Sequence, residues 1–159
     1  MLKYFYAFLS VFILISCNHN NNPMHNITAH PFRLKPGQDL KQEIQAFVNQ
    51  RQIKAGWVST CAGSLTDYTI RFANQPDGAT GSGHFEIVSL TGTVSVNGSH
   101  LHLSLSDSTG KTIGGHLMDG CKIYTTAEIV ILSSDDHVFK RAKDGTTPWE
   151  ELQVDTVKH

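Results

Sequence analysis

The chain has 159 residues, 40% of them hydrophobic, with 13 basic and 14 acidic side chains and a formal net charge of −1. That near-neutral balance supplies no basic field to hold a phosphate backbone, which argues against nucleic acid as a partner. Nine histidines are many for this length, and their placement carries most of the functional reading.

In chain order, a free amine and Lys3 precede an apolar run from Tyr4 to Ile15, too short to cross a bilayer as an ordinary helix. Residues 1–16 read as a signal peptide. The run ends Leu14-Ile15-Ser16-Cys17, which resembles a lipobox. The resemblance implies cleavage before Cys17, lipid on that cysteine, and an exported protein anchored in the cell envelope on a periplasmic or outer face. An ordinary secretory signal with a chance cysteine and a small transmembrane anchor are the alternatives. Residues 17–28 continue after Cys17 with Asn18-His19-Asn20-Asn21-Asn22-Pro23, too polar to bury a core, and read as a flexible tether. Asn18 stands where the inner-membrane retention signal of enteric bacteria has Asp.

What remains is the length of one domain, assigned to residues 29–133, with a charged tail over 134–159 whose one anchor candidate is Pro148-Trp149. His30 to Leu34 suits a first strand, and Lys35-Pro36-Gly37 a turn. Asp39 can cap a helix over Leu40–Gln50, in which Leu40, Ile44, Phe47 and Val48 share one face. Six β-rich stretches follow: Ala55–Cys61, Asp67–Ala73, Phe85–Val96, Leu101–Ser106, Lys111–Leu117 and Ile123–Leu132. The expected class is α+β, a mainly antiparallel sheet with one packed amphipathic helix. Cys61 and Cys121 lie in apolar strands, where two buried free thiols are the simpler reading and a disulfide the other.

The richest passage is His100-Leu-His-Leu-Ser-Leu-Ser106, then Asp107-Ser-Thr-Gly110, then Lys111-Thr-Ile-Gly-Gly-His-Leu117. Alternation points Leu101, Leu103 and Leu105 to one face and His100, His102 and Ser104 to the other. A three-residue loop with Gly110 left-handed sets Asp107 against Lys111, Leu105 against Ile113 and Leu101 against Leu117. Loops of two or four residues would mix the faces. In the favoured register His102 faces His116, with His100 two residues along, so three imidazoles can converge on one ion. Three His nitrogens with an open fourth position suit Zn²⁺ or another divalent transition metal. Otherwise these are polar residues on a solvated hairpin face. Gly114-Gly115 serves close backbone approach on that second reading, and fits either one, since absent side chains also leave room above Leu103 for a ligand or another subunit.

Gly56-Trp-Val-Ser-Thr-Cys-Ala-Gly-Ser64, Gly83-His-Phe-Glu-Ile-Val-Ser-Leu-Thr-Gly92, His100-Leu-His102 and Gly114-Gly-His-Leu-Met-Asp-Gly120 together resemble the plant and prokaryote conserved (PPC) domain, from about His30 to Leu132. The resemblance implies a homotrimer formed through the sheet. It also brings a predicted DNA-binding label, because in plants this domain follows AT-hook segments; no Arg-Gly-Arg core occurs here. The family's fold is similar to a domain of α-acetolactate decarboxylase, in which a His-x-His pair and a third His hold zinc. His100, His102 and His116 match that pattern, whereas the plant proteins lack these histidines. The decarboxylase's carboxylates and Arg have no assignable counterparts here, so its activity is not carried over.

Glu86 is a candidate fourth ligand or general acid/base, or a structural carboxylate. Arg71 is a candidate anchor for an anionic substrate, or a partner for such a Glu. His84 borders a loop and could contribute; His19, His25, His30, His137 and His159 lie in tether, edge or tail positions and are assigned nothing. No Gly-x-Ser-x-Gly motif occurs, and Gly78–Gly83 lacks the Lys and helix of a phosphate loop. Two function classes remain, a metal-dependent envelope enzyme or metal-binding protein acting on a small polar molecule, and a trimeric interaction module without chemistry. DNA binding comes third.

Overall fold

The computed structural model describes residues 26–157; the signal segment, Cys17, His19, His25 and His159 lie outside the described residues. In chain order the elements are β1 (Ile27–Leu34), α1 (Leu40–Gln50), β2 (Gly56–Arg71), β3 (Ala79–Ser95), β4 (Gly98–Ser106), β5 (Thr112–Leu117), β6 (Lys122–Ser134), β7 (His137–Ala142) and β8 (Glu151–Thr156). This is the expected α+β class, mainly antiparallel with a single helix among the described residues.

Six strands form one sheet in the order β1-β6-β2-β3-β4-β5, and β7 and β8 form a separate two-stranded sheet. The far end of β2 also pairs with β5, placing Ile70 against Leu117 and Arg71 against His116. Strands β2 to β5 therefore close on themselves, and β5 has no free edge at that point. Side chains inside this curl are fully or nearly fully buried, among them Ile70, Leu101, Leu103, Leu105 and Leu117.

Helix α1 packs Leu40, Ile44 and Val48 into the same core at steps of one turn. Asp39 caps it as the sequence suggests, accepting from the Lys41 and Gln42 amides at 3.1 and 3.2 Å. Its second oxygen accepts from the Gly120 amide at 2.7 Å and meets Lys122 Nζ at 3.6 Å. One buried carboxylate thus fixes both the helix start and the β5–β6 connection.

Three features differ from the sequence expectation. The stretches 55–61 and 67–73 belong to one long strand, β2, whose register shifts at Val58/Thr60, Gly63/Leu65 and Leu65/Asp67 let it bend without ending. Strand β3 begins at Ala79, ahead of Phe85, and β1 at Ile27, ahead of His30. The tail carries a complete hairpin, β7–β8. Cys61 and Cys121 are both free, and burial pushes their thiols up to about 12 and about 11 respectively.

Candidate metal centre

The β4–β5 hairpin places the site. Gly110 adopts φ +83°, its amide donates to the Asp107 carbonyl at 3.0 Å, and the Asp107 amide donates to the Lys111 carbonyl at 3.0 Å. This is the bulged three-residue loop read from the sequence, and it fixes the register: His102 faces His116, Leu103 faces Gly115, and Leu105 faces Ile113. Leu101, Leu103 and Leu105 turn inward, so His100 and His102 turn outward on the opposite face.

Of the two roles the sequence allows Gly114 and Gly115, the structure bears out close backbone approach. A Cβ on Gly115 would lie 2.8 Å from Ile70 Cγ2 and press on the Arg71 carbonyl, and one on Gly114 would lie 2.9 Å from the Leu103 carbonyl. Their missing side chains let β5 approach β4 and β2 closely, rather than leaving room for a ligand. That approach is what brings His116 beside Arg71.

Each of His100, His102 and His116 offers one ring nitrogen, and the three nitrogens lie within 4.8 Å of one another. The Nε2 atoms of His100 and His102 are 3.2 Å apart. Two nitrogens bound tetrahedrally to one zinc at ordinary bond lengths stand about 3.3 Å apart, so this pair already has the spacing of one tetrahedron edge. His116 Nδ1 is buried with no hydrogen-bond partner among the described residues. A buried polar atom that the protein leaves unmatched is costly, and ring nitrogens gathered in this way fit a metal and its bound ligands.

Burial, then the neighbouring His100 and Arg71, holds His116 down at about 4. Burial, then Arg141 and His102, also lowers His100 below its ordinary value. Both rings are therefore neutral at pH 7, with lone pairs free for a cation.

The other sequence candidates fall as follows. Arg71 lines the same cleft as His100 and His116, and its Cζ lies 4.9 Å from the centre of the Trp149 ring. Glu86 is exposed on β3, opposite Ser106 at the far end of β4, and is not part of the histidine group. The structure therefore does not bring Glu86 together with Arg71. His84 stacks on Tyr124 at 4.2 Å, and His30 bonds Ser133 Oγ at 2.8 Å. Arg141 and Glu151, not singled out from the sequence, reach the site from the tail hairpin; Arg141 donates to Thr93 Oγ1, and Thr93 is paired with His100 across β3 and β4.

An antiparallel sheet whose strands β2 to β5 close on themselves, with one helix among the described residues and an outward histidine group, describes a class of small β-rich domain, and its sequence match identifies the family. Residues 22–135 match the Plants and Prokaryotes Conserved (PCC) domain, and the chain belongs to that family. It is 44% identical over 135 residues to a bifunctional protein GlmU of Synechococcus, covering 85% of this chain but only 22% of that protein's length. A hypothetical protein from Salmonella shares the structure at a TM-score of 0.81 with 39% identity, over 83% of this chain and 96% of its own. A metal-containing protein from Archaeoglobus fulgidus shares the fold at 0.70 with 24% identity, over 81% and 96%. A putative DNA-binding protein from Bacteroides thetaiotaomicron does so at 0.65 with 22% identity, over 84% and 98%.

Proposed function

We propose that this chain is an exported, lipid-anchored member of the PCC family whose His100, His102 and His116 hold a divalent transition metal, with zinc the ion that best suits three neutral imidazoles. The observation that carries the reading is the convergence of three ring nitrogens within 4.8 Å. Held by three protein ligands, such an ion keeps a position open, where it polarises a carbonyl or activates water. The substrate class is a small polar molecule. The proposed assembly is a homotrimer formed through the sheet, and the anchor is lipid on Cys17. That the fold accommodates a metal is supported by the Archaeoglobus protein; the ligand set rests on this chain's own histidines.

The test is metal content by plasma mass spectrometry on protein purified without an affinity tag or chelator, beside His102→Ala. About one equivalent per chain, lost in the variant, is expected for a four-coordinate site. Metal-free protein that stays unloaded in zinc overturns the reading and leaves a non-catalytic trimeric interaction module. Globomycin should accumulate a heavier precursor, and an unchanged mass removes the lipid anchor. DNA binding, which the label on the Bacteroides protein raises, meets a net charge of −1 and an envelope location that holds no chromosome.

A further inference from the structure

The metal reading has an electrostatic consequence. Three neutral imidazoles leave a divalent ion's charge unbalanced, and the surrounding cleft adds more positive charge. Arg71 sits beside His116 through the β2–β5 pairing, and Arg141 sits beside His100 through its bond to Thr93. Neither guanidinium has a carboxylate within ion-pair distance among the described residues; the ion pairs found are Lys41–Asp119, Lys122–Asp39 and Lys140–Asp155. Glu150 and Glu151 line the cleft as well, and Glu151 acts on Arg141 and His100, but Lys41 and Lys143 stand on the same lining, so two carboxylates do not balance a divalent ion and four cationic side chains.

The cleft has the size and lining for a small organic molecule. It encloses about 660 Å³ between His100 and His116 on one side and the tail residues Arg141 and Trp149 on the other, with Met118 on its wall. The family match ends at residue 135, so Arg141 and Trp149 come from outside the matched domain. An indole and a thioether suit a carbon skeleton, and a guanidinium's planar fork matches a carboxylate.

Resting on the metal reading, we propose that the site's ligand is a small carboxylate that binds the metal and is neutralised by Arg71 and Arg141. The tail hairpin, by supplying Arg141 and placing Trp149 on Arg71, sets this preference. Arg71 and Arg141 are then specificity residues, and the three histidines are the metal ligands.

The experiment uses the purified protein loaded with cobalt(II), whose visible absorption reports its ligands. It is titrated with 2-oxobutyrate, with the uncharged ethyl ester of that acid and with inorganic phosphate. A saturable spectral change with 2-oxobutyrate is expected, at least about tenfold weaker with the ester, as for loss of a charge-assisted contact. Arg71→Gln and Arg141→Gln each weaken 2-oxobutyrate binding by about tenfold or more with cobalt stoichiometry unchanged, and Arg141→Lys recovers part of the loss. Failure to take up cobalt overturns the metal reading and this proposal with it. Normal uptake with carboxylate binding indifferent to both arginines, or with ester or phosphate binding as tightly, overturns this proposal alone. Thermal melts of the variants ensure that a lost signal is not a lost fold.

Discussion

The two hairpins that meet at the site are built on opposite principles. In β4–β5 the alternating Leu101, Leu103 and Leu105 of the first strand are buried, and the loop is fixed by Gly110 and the Asp107 carboxylate, which accepts from the Thr109 and Lys111 amides at 2.8 and 3.1 Å. In β7–β8 no residue is buried, and Leu152 and Val154 stand 38% and 51% exposed. The tail docks instead through polar contacts at Phe139: its amide donates to the Lys54 carbonyl at 2.9 Å, and its carbonyl accepts from Ser95 Oγ and Asn97 Nδ2 at 3.1 and 2.8 Å. The core hairpin supplies the candidate ligands His100, His102 and His116, and the tail hairpin supplies Arg141. On the proposed reading, a fixed set of histidines with a weakly held wall would let the preferred anion change without rebuilding the metal site.

If that contrast is right, truncation separates the two hairpins most sharply. Leu103→Ala is expected to cost about 3 kcal/mol of stability, since it opens a cavity in the closed β2–β5 ring. Leu152→Ala should stay within about 0.5 kcal/mol, as for an exposed side chain. Urea unfolding of the two variants decides the point, and equal losses would remove the distinction. Hydrogen exchange probes the same difference in the unmodified protein: the β7–β8 amides should open locally and exchange far ahead of those of β4–β5, which wait for global unfolding. Matching protection would make the tail a part of the core unit.

A smaller effect is expected from Asp39, which belongs to neither hairpin. Asp39→Ala should cost about 2 kcal/mol, combining a lost helix cap with a Gly120 amide left without its acceptor. Denaturation should show this with metal uptake intact, because α1 contributes no ligand.

The same contrast explains what the sequence discloses. Strict alternation and one glycine-ended loop permit only one register for β4–β5 that keeps the leucines together, so the facing of His102 and His116 is legible from the order of residues alone. Helix α1 is legible for the same reason, an apolar face ending at a capping Asp. Strand β2 is read as two stretches, 55–61 and 67–73, whereas bulges carry it through the residues between them; a bulge depends on the partner strand, which local sequence does not show. The tail hairpin escapes because it buries no apolar face and so has no period to detect. Arg141 and Glu151 go unnoticed with it, although Trp149 beside Pro148 marks an anchor. Arg71 is visible as a candidate, but its pairing with His116 depends on the closure of β5 onto β2, a contact between distant parts of the chain.

The finest test concerns protons at the shared wall. The folded protein holds His116 at about 4 and His100 below its ordinary value, each chiefly through burial. A proton therefore binds the unfolded chain, with its ordinary imidazoles, more tightly than the folded one. Metal-free protein should keep full stability above pH 6.5 and lose it progressively as pH falls from there towards 4. Metal competes with the same protons, so the loss of affinity on acidification should be shallower near pH 6.5 than at a site with no depressed histidine, because His100 and His116 resist protonation there. Arg141→Gln removes one of the cations that keep His100 neutral, so in this variant the fall should begin at higher pH. Zinc affinity measured with a competing chelator between pH 7.5 and 5 reads both effects. An unchanged profile in Arg141→Gln would mean that the tail's charge does not reach the histidines, leaving the core hairpin alone in control of the site.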